Sequence, residues 1–302
     1  MPRFAFLYPL SAILLWSGNV IVSKLSASAI APGAITFYRL LLAVGLLSLF
    51  VLKGTWANRR EVLRQLPRLF LLGCLAMAVY QCLSYWAAET SSATNMAVLT
   101  ALAPLLTLLL SVVLLRERPT LGMLFGGALS LLGVAWLVGR GQPLQLWAGG
   151  VHLGDGLMLL ASLLYALYSV LLRKWAIPLP AWQSTYVQAL SALAVMACVF
   201  AGLPTGSARL NATTMPLILY AGVLASVLLP FLWIQGVAAI GPSRCSIFMN
   251  LLPLLTALLA VLMLGERLHG YHLAGGGAAL AGVVLAQAWR RPLGRTGGQA
   301  RG

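Results

Sequence analysis

Acid is the scarcest component of this sequence. Its 302 residues include five carboxylates, and all charged residues together make up 8%, against about 25% in an ordinary globular domain. A soluble fold has to cover its surface with charge, so this scarcity excludes one; with 61% hydrophobic residues, the apolar side chains must face lipid. Histidine is nearly as rare, and His152, His269 and His272 all fall in loops or at the ends of apolar runs. The four cysteines, Cys74, Cys82, Cys198 and Cys245, lie inside or at the ends of such runs. They show no CxxC or Cys/His spacing, which argues against a zinc site or a disulfide framework and for small buried hydrophobes. No strand precedes a glycine-rich phosphate loop. The sequence therefore carries no enzyme constellation, and neither a metal nor a cofactor is expected.

What is present in quantity is base and apolar length. A net charge of +15 would point a soluble protein to nucleic acid. Here the basic residues sit in short loops between apolar runs and form no stripe, so the expected partners are a lipid bilayer and a small-molecule substrate, not nucleic acid. A spanning helix needs about 20 apolar residues. Stretches near 4–25, 33–52, 68–88, 93–115, 120–139, 156–174, 181–203, 215–238, 243–264 and 270–289 qualify. Pro32, Pro67, Pro119, Pro143, Pro178, Pro180, Pro204 and the Gly241-Pro242 pair punctuate them. The expected fold is an all-α polytopic membrane protein with ten transmembrane helices. The first run follows Arg3 and ends near Ser26-Ala27-Ser28-Ala29, as a signal peptide does. It is too long for an h-region and contains Trp16 and Asn19, so it reads as a retained helix.

Loop charges set the orientation. With the N-terminus inside, fifteen lysines and arginines fall on the cytoplasmic side, among them Arg3, Arg244 and Arg290; Lys24, Arg140, Arg209 and Arg267 fall outside. The positive-inside rule then places both termini in the cytoplasm.

A shift of 149 residues superimposes the sequence on itself. Residues 102–118, LAPLLTLLLSVVLLRER, fall on 251–267, LLPLLTALLAVLMLGER. Leucine matches come easily in such a chain, so other identities decide: Pro104 on Pro253, Thr107 on Thr256, Glu117 on Glu266, Arg118 on Arg267, Gly73 on Gly222, and Gly126, Gly127 and Gly133 on Gly275, Gly276 and Gly282. Each copy holds five spans, and an odd number forces the second copy to enter the membrane from the opposite face. The expected organisation is a first repeat over 1–139, an outer linker over 140–155, an inverted repeat over 156–289, and a Gly- and Arg-rich disordered tail over 290–302. Inverted repeats are a common ground plan of secondary transporters, with the site near the midplane between the halves.

The L-W-S-G-N-V-I-V-S-K at 15–24, the A-P-G-A-I-T-F-Y-R at 31–39 and the twin P-L-L-T…E-R blocks with trailing glycines resemble the drug/metabolite transporter superfamily, in its ten-helix EamA-type branch. The likeness covers roughly residues 4–289. Within that branch the chain is most similar to bacterial aromatic amino acid exporters. The resemblance implies a transporter of small organic metabolites in the bacterial inner membrane, commonly an exporter.

Arg39 is the sharpest polar signal. It lies about two turns into the second span, where a charge costs at least ~2.5 kcal/mol at the bilayer centre. It either faces the cavity and holds a substrate carboxylate, snorkels to headgroups, or pairs with Glu89. Trp56, Trp147, Trp175 and Trp289 read as interfacial belt. Trp16, Tyr80, Tyr165 and Tyr168 lie near mid-span; Trp16 with Asn19, and Tyr165 with Tyr168, share helix faces at i, i+3 spacing, and these residues suit either a planar ligand or interhelical hydrogen bonding. Tyr38 and Tyr186 read as repeat partners nearer each face, either gates or belt. Gln81 beside Tyr80 and Ser84 makes the densest polar patch, and Asn250 is a further polar residue in a span. Pro104, Pro230 and Pro253 free backbone carbonyls as hinges or static kinks. The glycines at 122–133 and 275–282 read as close-packing positions. Glu117 and Glu266 fall on opposite faces, each expected to pair with a neighbouring arginine and cap its own helix. With no carboxylate or histidine at the midplane, no obligatory proton site is expected.

The reading that follows is an exporter of aromatic or other large neutral amino acids, monomeric, using alternating access. The runner-up is a carrier of phosphorylated metabolites or nucleotide sugars, which needs at least two cavity cations. A lipid flippase would instead show a polar groove open sideways, and a membrane enzyme or sensor would need a catalytic cluster or a soluble relay domain.

Overall fold

The structure, a computed structural model, describes residues 5–142, 152–241, 245 and 248–289. Arg3, Pro143, Trp147, Pro242, Arg244 and the 290–302 tail, all invoked above, lie outside the described residues.

Every regular element among the described residues is helical: α1 (Leu7–Ser26), α2 (Pro32–Ala57), α3 (Arg59–Thr90), α4 (Ala93–Leu114), α5 (Leu121–Val138), α6 (Leu153–Trp175), α7 (Ala181–Ala201), α8 (Thr214–Ile240), α9 (Met249–Leu264) and α10 (Gly270–Ala288). The helices α2 to α8 are each long and apolar enough to cross a membrane, and α9 is a shorter apolar helix. Ten spans of that kind were expected; α1 and α10 have the length but not the apolarity, because α1 carries Asn19, Lys24 and four serines and α10 carries five glycines with His272 and Gln287. Their polar side pays off inside the bundle: Ser17 Oγ of α1 donates to Leu252 O at the start of α9.

The starts and stops follow local chemistry. Pro32 opens α2 at a position whose N–H would be unpaired in any helix. Ser92 Oγ accepts from Asn95 N ahead of α4, and Thr120 Oγ1 accepts from Met123 N ahead of α5. Gly265, at φ +66°, ends α9 in the left-handed conformation that glycine adopts without strain. One predicted break fails. Pro67 lies inside α3, which starts at Arg59 and runs 32 residues. The stretch with exposed Arg59, Arg60, Arg64 and Arg68 continues the span as an amphipathic helix, burying Gln65 and Leu69, and the proline forfeits only one hydrogen bond there.

The two halves carry matching irregularities. A π-helical segment interrupts α3 at Cys74–Val79 and α8 at Tyr220–Leu228, and the shift of 149 lays the first inside the second. Helix α4 breaks at Ala101 and Leu102, two residues ahead of Pro104. Helix α9 starts with a tight turn at Met249–Leu251, two residues ahead of Pro253. Helices α5 and α10 lie antiparallel along a glycine seam. A Cβ at Gly126 would collide with Gly282 O, and one at Gly133 with Ala279 N and Gly275 O. Ser130 Oγ donates to Ala279 O at 2.8 Å, and these two residues are themselves related by the shift of 149. Only residues without side chains let two backbones approach this closely. The apolar core lies among α1, α3, α4, α6 and this pair, with a second cluster between α2, α3 and α7.

Candidate functional site

Between the halves lies a cavity of about 620 Å³, inside the 300–1,000 Å³ typical of ligand pockets. Its aromatic wall is Trp16, Tyr80, Tyr165, Tyr168 and Trp233. The ring centroids of Tyr80 and Tyr165 are 5.2 Å apart and those of Tyr165 and Tyr168 5.6 Å, spacings at which aromatic faces interact favourably. Its lining runs on to Ser111, Arg173 and Thr185 at the end of the bundle where α4 and α6 finish.

Arg39 is 4% exposed and lines this cavity. Nη1 donates to Gln81 Oε1 at 2.8 Å and to the Tyr85 hydroxyl at 3.1 Å; Nε and Nη2 donate to Ser226 Oγ at 3.2 and 2.9 Å. All three acceptors are neutral. No carboxylate among the described residues forms an ion pair with it, and Glu89, weighed as its partner, is exposed one turn beyond Tyr85. The π-helical segment of α8 explains Ser226: its extra residue per turn rotates the side chain, whose Oγ donates back to Ala221 O five residues earlier at 2.7 Å while receiving Arg39. The arginine is held by dipoles and left electrically uncompensated. A buried charge in that condition is costly, several kcal/mol, and within a bundle such residues mark substrate pathways.

Of the residues chosen from sequence, Trp16, Asn19, Arg39, Tyr80, Gln81, Ser84, Tyr165 and Tyr168 all line the cavity, together with Pro104 and Pro230. Tyr38 and Tyr186 do not. The Tyr38 hydroxyl donates to Ala208 O and its ring packs on Phe200; the Tyr186 hydroxyl shares a hydrogen bond with Ser48. Both are ties between the halves. They also miss the repeat register by one residue (38 + 149 = 187), and one residue turns a helix by about 100°. Asn250 and Pro253 lie beside the kink of α9, away from the lining. The cysteines divide: Cys82 and Cys245 are buried, Cys74 is half-buried and Cys198 exposed.

Tyr85, Ser226, Thr107 and Asp155 escaped the sequence reading. Tyr85 had a signal, since it follows Gln81 by four residues on one helix face. Asp155 was assigned to a linker, but α6 starts at Leu153 and buries it.

The opposite end of the bundle is closed by a polar lattice around the α3–α4 joint. Lys24 Nζ donates to Ala88 O in the last turn of α3 and to Ser91 O just beyond it, at 2.7 and 2.6 Å. Asp155 accepts from Ser91 Oγ and from Asn95 Nδ2. Glu266 accepts from Ala93 N, Thr94 N and Thr94 Oγ1. This corrects the expected local ion pairs of the two glutamates: Glu266 caps α4 in place of a neighbouring arginine, because the first amides of a helix have no intrahelical partner and carry its positive pole. Glu117, in the connection between α4 and α5, pairs with Arg173 of α6, with side chains 37% and 66% exposed; the other ion pair among the described residues, Arg64 with Glu61, lies within α3.

The EamA-like transporter family profile matches residues 3–139 and again residues 152–287. The chain belongs to that family. The two matches start 149 residues apart (152 − 3). An "Uncharacterized transporter" of Archaeoglobus fulgidus is 28% identical over 281 residues, 91% of this chain and 94% of its own length. A "Probable terminal-alkyne amino-acid exporter" of Streptantibioticus cattleyicolor is 27% identical over 258 residues, 84% and 83% of the two chains. A crystal structure at 20% identity superposes with a TM-score of 0.60 over 95% of this chain and 97% of its own, which speaks for the fold alone.

Family membership fixes the coarse reading of the geometry. This is a multi-pass membrane transporter and not an enzyme.

Proposed function

We propose that the protein exports α-amino acids with aromatic or other large neutral side chains by alternating access through the central cavity. The observation that carries this is Arg39, a buried guanidinium held by three neutral acceptors and facing an aromatic-walled cavity. A ligand carboxylate supplies the missing charge through a charge-assisted hydrogen bond, and the tyrosine and tryptophan faces take the side chain. The amino-acid exporter among the relatives agrees in substrate class.

Ten spans, five in each matched segment and inverted, provide the exchange of access. The antiparallel α5–α10 seam, in which positions related by the shift of 149 meet across a local two-fold, supports this arrangement. With both termini cytoplasmic in a bacterial inner membrane, the cavity faces the cytoplasm in this structure and the polar lattice closes the outer side. A monomer suffices, because both halves of the site lie in one chain. Transport down the substrate gradient is the reading supported by the lining, in which no carboxylate or histidine occurs among the described residues. A phosphorylated substrate would need a second free cation, and Arg173, the other arginine in the lining, is engaged by Glu117.

Uptake into proteoliposomes with a panel of amino acids, with and without a pH gradient, tests the assignment. Losing one partner of a desolvated charge pair costs about 2–5 kcal/mol, so Arg39→Ala should weaken carboxylate-bearing substrates by about 30-fold or more. Unchanged transport by Arg39→Ala would remove the basis for the assignment.

A further inference from the structure

The closed end contains a second cavity, of about 220 Å³, that shares no residue with the central one. Every residue that lines it has a polar side chain: Asp155, Asn95, Arg140, Arg267 and their serine, threonine, histidine, tyrosine and glutamate neighbours. Asp155, the sole aspartate of the chain, is 3% exposed. Its donors, Ser91 and Asn95, are neutral, and no cation among the described residues pairs with it. A carboxylate offers about four acceptor sites, so these donors leave capacity on Oδ2. Asn95, 8% exposed, has an Oδ1 with no hydrogen-bond partner at all. A buried carboxylate held by neutral donors alone, beside an amide oxygen with no hydrogen-bond partner, has the chemistry of a cation receptor.

The type of cation follows from what surrounds it. Glu266 is committed to the first amides of α4, so one carboxylate is free, too few charges for a divalent ion's usual oxygen cage. Arg140 and Arg267 line the same small space and form no ion pair with a described carboxylate. Anionic and cationic receptors around one small volume match an α-amino acid head group.

We propose that this cavity is a second ligand station, in which Asp155 and Asn95 Oδ1 bind the primary ammonium of the transported amino acid while Arg140 or Arg267 meets its carboxylate. The amino-acid part rests on the function proposed above; the ammonium site does not. The station lies at the opposite end of the bundle from the opening beside Arg173, so a substrate leaving Arg39 outward passes it last. Arg39 reads the carboxylate at the first station, and Asp155 adds recognition of the ammonium at the second.

Binding calorimetry on the purified full-length protein separates the two stations. The probes are phenylalanine, phenethylamine, which lacks the carboxylate, and 3-phenylpropionate, which lacks the ammonium. Asp155→Asn should weaken phenethylamine at least tenfold and leave 3-phenylpropionate unchanged, whereas Arg39→Gln should do the reverse. Equal binding of phenethylamine by the wild type and Asp155→Asn would reduce Asp155 to a structural latch and overturn the proposal. So would a wild type that binds 3-phenylpropionate and not phenethylamine, and that result would leave the Arg39 reading standing. The opposite pattern would sink Arg39 and keep Asp155.

Discussion

Substituting Gly126 by alanine puts the α5–α10 seam to a quantitative test. Alanine is the better helix former by roughly 0.5–1 kcal/mol, so a helical glycine in open space gains from the change. At Gly126 the added methyl carbon would lie 2.4 Å from Gly282 O, 2.5 Å from Ala286 N and 3.0 Å from Ala286 Cα. Ordinary contact begins at 3.4 Å, so α10 must retreat about 1.0 Å along the shortest line (3.4 − 2.4). The obstructing atoms are all backbone, and no side chain can swing aside to make room. A gap of roughly 0.5–1 Å forfeits a quarter to a half of the dispersion well in every contact it opens, and overpacking costs roughly 1–3 kcal/mol. The net expectation is a loss of about 1–2 kcal/mol. Gly277, on the same helix α10, has nothing within 4 Å of its virtual Cβ and serves as the control. Thermal unfolding followed with a thiol-reactive dye reads both, because Cys82 and Cys245 are buried; Cys198→Ser removes the exposed background thiol. Gly126→Ala should melt several degrees below the parent and Gly277→Ala at or above it. If both variants melt together, the seam is not close-packed and the local two-fold drawn from it loses its support.

Ser226→Ala should raise KM for carboxylate substrates about tenfold, since a hydrogen bond to a charged group is worth about 1.5–3 kcal/mol. Ser226→Thr, which keeps the hydroxyl, should restore it; a failed rescue would point to packing instead of orientation of the guanidinium. Glu266→Gln and Glu117→Gln remove repeat-related carboxylates with different duties. The first should destabilise by about 1–2 kcal/mol, the upper range for a partly buried anion at a helix N-terminus. The second, in an exposed pair, should cost about 1 kcal/mol or less. Equal melting shifts in the two variants would contradict the capping role given to Glu266.

The helical architecture could be read from the sequence because it depends on local quantities: apolar length, proline and glycine punctuation, and identities at one shift. The cavity was partly legible for the same reason. Trp16, Tyr80, Gln81 and Tyr165 stand out as polar or amphipathic groups in spans that have no use for them unless they turn inward. What escaped depends on distance through space or on a small change of phase. Ser226 reaches Arg39 because a π-helical segment rotates α8, and no local pattern in Tyr220–Leu228 announces that extra residue. Asp155 was hidden by a boundary set at 156 when α6 starts at Leu153, a three-residue error that turns a buried receptor into a loop charge. Pro67 misled in the other direction, since its helix-breaking tendency was outweighed by the packing of Gln65 and Leu69 on its inner side.

The shift of 149 also separates charges that the two segments share from charges that one segment holds alone. Lys24 corresponds to Arg173, and Glu117 to Glu266. These four bind protein: Lys24 the end of α3, Arg173 and Glu117 each other, Glu266 the start of α4; the third shared pair, Arg118 and Arg267, is exposed and forms no ion pair with a described carboxylate. Arg39 corresponds to Gln188, and Asp155 to Phe6. Those two unmatched charges are the ones buried without a counter-ion. Charges that hold a duplicated bundle together are useful in both copies, because each copy meets the same helix ends. A charge that serves a ligand has no such reason to appear twice, since an asymmetric molecule with one carboxylate and one ammonium needs one receptor for each. Gln188 fits this division: it is buried, donates to Ser184, and keeps an unpaired Oε1 outside the cavity lining. The division attributes function to Arg39 and Asp155 on grounds independent of their local geometry, and it predicts that restoring symmetry with Gln188→Arg adds no transport activity.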